Sequence, residues 1–173
     1  MTSQSAYSIR AARPADSASV AALLAASYAE LLAGHYDGDI LRRALPYLSR
    51  ANPTLLLSGT YHVAECEPGN LIGCGGWTVA APGSGEIIEG QAHIRHFAIA
   101  PTWVRRGIGA ALLARCLSDA RQAGVRKLLC LSTLNAEPFY RAFGFDAVAP
   151  VDVPMGPDLR FPGVLMSCGL VSS

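Results

Sequence analysis

The sequence predicts one α/β (α+β) domain over residues 1–173, with a mixed, mostly antiparallel sheet of about seven strands and about four helices on both faces. The 173 residues suit one domain with a sizeable core, since 51% are hydrophobic and 16% charged. Segments with strand and helix periodicity follow in the order β-α-α-β-β-β-α-β-α-β-β. Residues 94–132 have the spacing of a parallel strand–helix–strand crossover, whereas the other strands follow one another as hairpins.

The first half of the chain contains a strand, two helices and a hairpin. A short strand is expected at residues 7–11, an amphipathic helix at 17–32 with Asp16 as its N-cap, and a shorter helix at 38–50 that ends before Asn52-Pro53. Two strands are expected at 61–66 and 71–80, joined by the turn EPGN. Residues 1–6 are expected to form a flexible tail.

The second half alternates strands and helices. Residues 87–100 are rich in strand formers, and residues 107–123 predict the most regular helix, which ends at Gly124. A nearly continuous apolar run predicts a buried strand at 125–133, followed by a short helix at 137–143. Two strands at 145–153 and 164–170 close the chain, with a Pro-rich loop, PMGPDLRFPG, between them.

Composition argues against several classes of function. The net charge of +1 argues against a broad nucleic-acid-binding face. No window holds the roughly 20 apolar residues of a membrane span. The start MTSQSAYSIR has no charged stretch followed by an apolar core, so no secretory signal is expected. The five cysteines are scattered and never form CxxC, which predicts reduced thiols in a cytoplasmic protein and no metal site.

The segment FAIAPTWVRRGIGAALL places two arginines and two glycines between a strand and a helix. A helix N-terminus presents unpaired N–H groups and partial positive charge, and glycines let a phosphate approach the backbone. Gly107 and Gly109 allow this approach, and Arg105 and Arg106 add charge. The alternative is a structural turn with two solvated arginines.

Two other phosphate-binding motifs are excluded at this turn. The segment has no Gly-Lys-Ser/Thr, so it is not the P-loop of nucleoside triphosphatases. GIGAAL also lacks the third glycine of a dinucleotide fingerprint and lies late in the chain.

Three segments together, HFAIAPTWVRRGIGAALL, KLLCLST and NAEPFYRAFGF, resemble the GCN5-related N-acetyltransferase (GNAT) superfamily. Gly107 and Gly109 match its signature Arg/Gln-x-x-Gly-x-Gly/Ala, from which Val104 departs at the first position. The opening IRAARPAD is also similar, so the resemblance covers nearly the whole chain. The second signature matches at Asn135, Ala136, Phe139, Tyr140, Gly144 and Phe145.

The resemblance implies the GNAT fold and acetyl-CoA as acetyl donor, with no metal. The pantetheine arm would lie along Phe97, Ala98 and Ile99 and bond to Asn135. Because the pyrophosphate cradle works mainly through backbone N–H groups, Val104 is expected to weaken it only slightly. The residues implied for the cradle are Arg105, Arg106, Gly107, Ile108, Gly109 and Ala110.

The resemblance also assigns catalytic roles. Tyr140 would protonate the leaving thiolate, although its helical position alone favours packing beside Phe139. His93 falls where several relatives carry a proton acceptor, and Glu89 is a second candidate; some relatives have no dedicated base. Strand alternation predicts that His93, Arg95, Phe97 and Ile99 share one face.

The expected function is acetyl transfer to a primary amine of a small molecule by direct attack in a ternary complex. The alternatives are a protein or peptide acetyltransferase, acting on N-termini or lysines, and a non-catalytic acyl-CoA sensor. Residues 28–40, 81–92 and 154–163 are expected to shape the acceptor pocket. His35, Tyr36 and His62 are candidates for its lining, although an ordinary surface or loop position is favoured for each. A homodimer is the assembly many relatives adopt.

Overall fold

The computed structural model describes residues 6–171, which contain seven strands and five α-helices. The strands are β1 (Ser8–Ala11), β2 (Tyr61–Glu67), β3 (Asn70–Thr78), β4 (Gln91–Ile99), β5 (Lys127–Ser132), β6 (Asp146–Pro154) and β7 (Arg160–Gly169). The helices are α1 (Ser17–Leu31), α2 (Gly38–Leu48), α3 (Pro53–Leu57), α4 (Ile108–Gln122) and α5 (Glu137–Arg141). The predicted tail at 1–6 lies outside the described residues except for Ala6.

The seven strands form one sheet in the order β1-β2-β3-β4-β5-β7-β6. Neighbouring strands are antiparallel except β4 and β5, which pair in parallel and are joined through α4. The predicted mixed, mostly antiparallel sheet and its parallel crossover are therefore confirmed. Because the last two strands enter in swapped order, β7 lies beside β5 and β6 forms the sheet edge.

Helices cover both faces of the sheet, as predicted. On one face, α4 and α5 pack against β4, β5 and β7 through buried residues that include Leu113, Cys116, Leu128, Tyr140, Phe145 and Met166. On the other face, α1 and α3 pack against β2, β3 and β4 through residues that include Val20, Leu24, Leu55, Val63, Cys74 and Ala98. Burial of each large apolar side chain contributes about 1.5–3 kcal/mol to folding.

The sequence predicts about four helices, and the one it misses is α3. This helix has only five residues, too few to show a helical period. The Asn52 side chain caps it by accepting a hydrogen bond from the Thr54 N–H, and Pro53 occupies its first position. The same Asn-Pro pair that ends α2 in the prediction thus begins another helix.

Two predicted boundaries also differ from the structure. Residues 87–90 lie outside β4, because Gly90 has a left-handed φ of 78° that ends the extended conformation. The predicted loop at 154–163 is wrong in part, since β6 includes Pro154 and β7 begins at Arg160. Pro162 fits β7 because β5 pairs with β7 only from Val164 onward. Pro162 therefore has a ladder partner on β6 and none on the β5 side, where its missing N–H costs no hydrogen bond.

Within the described residues, no helix is both long and apolar enough to cross a membrane. That part of the chain also lacks any group of three or more His, Cys, Asp or Glu side chains placed to hold a metal ion.

Candidate active site

The parallel strands β4 and β5 separate partway along their length. Their pairing includes Gln91 with Lys127 and ends at His93 with Leu129, although both strands continue beyond that pair. Because the Ala100 N–H donates to the Ile72 carbonyl on the β3 side at 2.9 Å, the backbone groups of the preceding Ile99 point toward the gap. The gap therefore presents strand backbone that a ligand can bond.

A cleft of about 690 Å³ occupies this gap. It extends from the N-terminus of α4, between the separated strands, to the end of α1 and the β6–β7 hairpin. Its volume falls within the range of roughly 300–1,000 Å³ that is usual for small-molecule sites. Of the predicted cofactor-binding residues, Arg106 alone does not line it; those that do are Phe97, Ala98, Ile99, Arg105, Gly107, Ile108, Gly109, Ala110, Asn135 and Tyr140.

The turn before α4 is an exposed backbone cradle. Gly107 is the N-cap with φ 82°, and no atom lies within 4 Å of the position a Cβ would occupy. The first helical bond runs from the Ala111 N–H to the Gly107 carbonyl at 3.0 Å, so the three N–H groups before Ala111 have no helical acceptor. Arg105 has φ 61°, and the Arg106 guanidinium lies 4.8 Å from the centre of the Trp103 ring. This geometry suits an anion held by backbone donors.

A bulge at His96 reverses the side-chain alternation of β4. His96 has φ 45°, and the pairing with β3 shifts between Cys74 and Gly76. Before the bulge, Ile94 packs among residues of α4; after it, Phe97 and Ile99 also pack against α4. The predicted common face is therefore wrong: His93 and Arg95 lie on the opposite face from Phe97 and Ile99.

Two buried tyrosine hydroxyls hold this bulge. Tyr61 donates to the His96 carbonyl at 2.9 Å, and Tyr28 donates to the Phe97 carbonyl at 3.1 Å. Burial raises the pKa of both phenols, so both remain donors at neutral pH. Sequence reasoning missed both roles, because each tyrosine is far along the chain from its partner.

Tyr140 lies at the junction of the cleft and the core. It is 5% exposed, and its ring meets Phe97, Phe139 and Phe145 at centroid distances of 6.3, 5.1 and 5.5 Å. Its hydroxyl lies beside the Cys130 sulfur, and burial raises the Tyr140 pKa well above 10. Both proposed roles, packing and proton donation, are compatible with this position, since the phenol is protonated at neutral pH.

The side-chain amide of Asn135 has a hydrogen-bonded nitrogen and an oxygen without a hydrogen-bond partner in the described part of the chain. Its Nδ2 donates to the Leu31 carbonyl at 3.4 Å. Its Oδ1 is buried at the cleft and has no hydrogen-bond partner among residues 6–171. Because a buried acceptor without a donor is costly, this atom suits a ligand N–H.

The two predicted bases occupy different environments. His93 is half-buried and lines a smaller cavity of about 170 Å³, which shares Ile94 and Cys130 with the main cleft. Burial and, to a smaller extent, the Arg95 charge lower the His93 pKa below 6.5. Glu89 is exposed in the turn before β4 and lines neither cavity. The structure thus places His93 near the cleft and Glu89 away from it.

His96 is a titratable group in the cleft that sequence reasoning left without a role. Burial and the charge of Arg95 lower its pKa to about 4, so its imidazole is neutral near pH 7.

Helix α2 and the β6–β7 hairpin line the far end of the cleft and share a core. Tyr36 lies just before α2 and connects this segment to the hairpin and to the loop after β5. Its hydroxyl donates to the Pro162 carbonyl at 2.8 Å and accepts from the Leu134 N–H at 2.9 Å, and its ring stacks on Phe161 at 4.3 Å. His35 is exposed nearby, whereas His62 is buried with Nε2 3.4 Å from Asp119. Neither histidine lines the cleft.

Tyr36→Phe is expected to lower the free energy of unfolding by about 1–2 kcal/mol, because it leaves a carbonyl and an N–H without their shared partner. Urea denaturation measures the change. Tyr47→Phe, at an exposed tyrosine of α2, is the control and should leave stability within about 0.5 kcal/mol. An unchanged urea midpoint for Tyr36→Phe would show that the hydrogen bonds of Tyr36 to Pro162 and Leu134 do not stabilise the fold.

Comparison with known proteins places this site in context. The family model described as acetyltransferase (GNAT) domain matches residues 70–156, half of the chain. No curated protein sequence is detectably similar to the chain. The chain is similar to the structure of the GCN5-related N-acetyltransferase from Rhodopseudomonas palustris, with a TM-score of 0.75 and 21% identity over 94% of this chain and 95% of that chain.

Two further solved structures have the same fold and contain coenzyme A. The PaiA N-acetyltransferase from Thermoplasma acidophilum, in complex with coenzyme A, has a TM-score of 0.68 and 16% identity, covering 95% of this chain and 99% of that chain. The N-acetylglutamate synthase from Neisseria gonorrhoeae, complexed with coenzyme A and N-acetyl-glutamate, has a TM-score of 0.62 and 22% identity over 96% of this chain and 35% of that chain. The matched family segment includes the separated strands, the glycine turn and Tyr140, and the chain belongs to the GNAT acetyltransferase family.

Proposed function

We propose that the protein transfers the acetyl group of acetyl-CoA to a primary amine of a small molecule, by direct attack in a ternary complex. The observation that carries this proposal is the gap between β4 and β5, which runs from the glycine turn of α4 to Tyr140. Family membership and the two relatives that contain coenzyme A support the donor.

The residues of the cleft suit acetyl-CoA, which supplies an activated acetyl thioester. The N–H groups at the start of α4, with Arg105 beside them, suit the pyrophosphate. The unpaired edge of β4 and the free Oδ1 of Asn135 suit the amide-bearing pantetheine arm. All three features line the same cleft.

Direct transfer is favoured because the cysteine that lines the cleft is a poor nucleophile. Cys130 is the cysteine that lines it, and burial raises the pKa of this thiol to about 12. The thiolate is the reactive form, so Cys130 is inert near pH 7. In direct transfer the acceptor amine attacks the thioester carbon and forms the C–N bond, while a base such as His93 takes the proton that the amine loses. The C–S bond then breaks, and the protonated hydroxyl of Tyr140 donates its proton to the leaving sulfur.

A small acceptor is favoured by the shape of the far end of the cleft. Helix α2 and the β6–β7 hairpin pack together there, and Tyr36, which precedes α2, donates to the Pro162 carbonyl of β7. A protein substrate would need an open groove in place of this contact.

Turnover of acetyl-CoA with a panel of small amines and with peptides tests the function. We expect small primary amines to be acetylated. The product is identified by mass spectrometry, and the measured turnover of acetyl-CoA is corrected for thioester hydrolysis. Transfer to peptides alone would overturn the small-molecule acceptor. Tight binding of acetyl-CoA without any acetylation would support a sensor and overturn the enzymatic role.

His93→Ala is expected to remove the acidic limb of the pH–rate profile. A base must be neutral to accept the proton, so the wild-type rate should fall as pH drops through the His93 pKa, which lies below 6.5. Glu89→Gln, at an exposed residue outside the cleft, should keep this limb. A limb that persists in His93→Ala would exclude His93 as the base, and a limb near pH 4 would point to His96.

A further inference from the structure

Arg95 is a half-buried cation at the cleft that has no acidic partner. Its guanidinium donates to the Thr78 Oγ1 at 3.0 Å, and no carboxylate of the described residues lies within 4.0 Å of it. Burial lowers the Arg95 pKa from its usual value. Arg95 lies just before the bulge, and its alternation with Ile94 places it away from α4, on the same face as His93.

Arg95 differs from the other arginines of the chain because it is shielded from water and also lacks an acidic partner among the described residues. Only Arg10 and Arg95 are not exposed. Arg10 is fully compensated, since its guanidinium bonds Asp16 at 2.8 Å and Glu65 at 2.9 Å. The protein therefore shields two guanidinium groups from water and provides an internal anion for one of them.

The surroundings of Arg95 favour an anion from outside the chain. No Asp or Glu lines either the main cleft or the smaller cavity beside it. Removing a guanidinium from water without a counter-charge is unfavourable, and a ligand anion would reverse this cost. Its planar donors match a carboxylate in two parallel hydrogen bonds. A second ammonium group on an acceptor, by contrast, would meet no acidic side chain in the cleft.

One wall of the cleft is apolar. It includes Leu32, Leu48, Val153, Met155 and Phe161, contributed by α1, α2 and the β6–β7 hairpin. An acceptor that contacts both Arg95 and this wall therefore needs an apolar body as well as an anionic group.

We propose that Arg95 binds a carboxylate carried by the acceptor, so that the acceptor is an amino carboxylate with an apolar side chain. This inference rests on the proposed acetyl transfer to a small amine. Arg95 then determines specificity, by holding the carboxylate while the amine of the same molecule reaches the acetyl group. The contacts that bind acetyl-CoA lie on β4 beyond the bulge, on α4 and at Asn135, so they are separate from Arg95.

Matched acceptor pairs test the proposal. L-Leucine, L-methionine and L-phenylalanine are each compared with the amine that lacks only the carboxylate: 3-methylbutylamine, 3-(methylthio)propylamine and 2-phenylethylamine. We expect the wild-type kcat/KM to favour the amino acid by at least about tenfold in one or more pairs. In Arg95→Gln, kcat/KM for that amino acid should fall on the order of 10- to 100-fold, with the paired amine changed less than about threefold.

Controls separate loss of recognition from loss of structure. Arg95→Lys keeps the charge without the two-pronged geometry and should retain part of the preference. Arg121→Gln, at an exposed arginine of α4, should behave as wild type. Acetyl-CoA affinity, measured by calorimetry, should be equal in wild type and Arg95→Gln. The proposal would be overturned if kcat/KM in Arg95→Gln fell equally for the amino acid and for its paired amine. It would also be overturned if the wild-type protein preferred the amines without a carboxylate.

A binding measurement keeps this test separate from the proposed function. Each amino acid is titrated into the wild-type protein saturated with coenzyme A, and the titration is repeated with Arg95→Gln. Binding that needs Arg95 supports the carboxylate site even if no acetylation occurs, in which case only the enzymatic proposal fails. Absence of binding by every amino acid, together with absence of their acetylation, would overturn the carboxylate site.

Discussion

Gly107→Glu is expected to abolish the binding of acetyl-CoA, with a loss of affinity on the order of 100-fold or more. The position has φ 82°, so any side chain strains the turn, and the new carboxylate would enter the space that faces the free N–H groups of α4. A negative charge there satisfies these donors and repels a pyrophosphate. Isothermal titration with acetyl-CoA and with coenzyme A measures the effect.

Gly124→Glu is the matched control for Gly107→Glu. Gly124 follows the other end of the same helix, has φ 81° and likewise has no atom within 4 Å of a Cβ position. The two variants therefore introduce the same side chain at the same backbone conformation, and only one of them faces the cleft. We expect Gly124→Glu to bind acetyl-CoA like wild type. If Gly107→Glu also retained wild-type affinity, the anion cradle would be excluded.

Tyr140→Phe is expected to lower kcat by about 100-fold or more, with a change in the KM for acetyl-CoA below about threefold. The phenylalanine ring keeps the contacts with Phe97, Phe139 and Phe145 and removes only the hydroxyl beside Cys130. Because burial raises the Tyr140 pKa well above 10, ionisation of this phenol should not limit the wild-type rate up to about pH 9.

Two measurements decide the role of Tyr140. Steady-state kinetics separate kcat from KM, and urea denaturation reports whether the variant remains folded. Tyr47→Phe, which removes an exposed hydroxyl outside the cleft, should leave kcat unchanged. If Tyr140→Phe altered only the KM or the stability, Tyr140 would act by packing against the neighbouring aromatic rings and would not donate a proton.

Much of the fold followed from local sequence signals. Helix α4 begins after Gly107 and ends before Gly124, and β5 coincides with an apolar run. Each of these signals determines the backbone conformation of residues next to it in the chain, so the predicted bounds are close to the observed ones. The parallel crossover followed from the spacing of three such elements. The residues expected to bind the cofactor lie within residues 97–140, and the separation of β4 from β5 brings most of them to one cleft.

The features that the sequence did not predict depend on contacts between distant segments. Period-two alternation fails at His96, because the bulge there is held by hydroxyls of Tyr28 and Tyr61, which belong to other elements. Arg95 has no recognisable motif, and its significance follows from the absence of carboxylates around it in the described residues. Such absences and long-range contacts leave no periodic pattern in the chain.

The early end of the β4–β5 ladder also bears on the lifetime of the protein. Residues 94–99 and 130–132 leave strand edges facing the cleft, and a ligand bound along them, as proposed for acetyl-CoA, would complete the sheet. Ligand present at 100 times its Kd stabilises a folded protein by about 2.7 kcal/mol. Amide hydrogens of these segments should therefore exchange more slowly, and the chain resist proteases longer, when coenzyme A is abundant. The supply of acetyl donor would then set how long the protein survives as well as how fast it works.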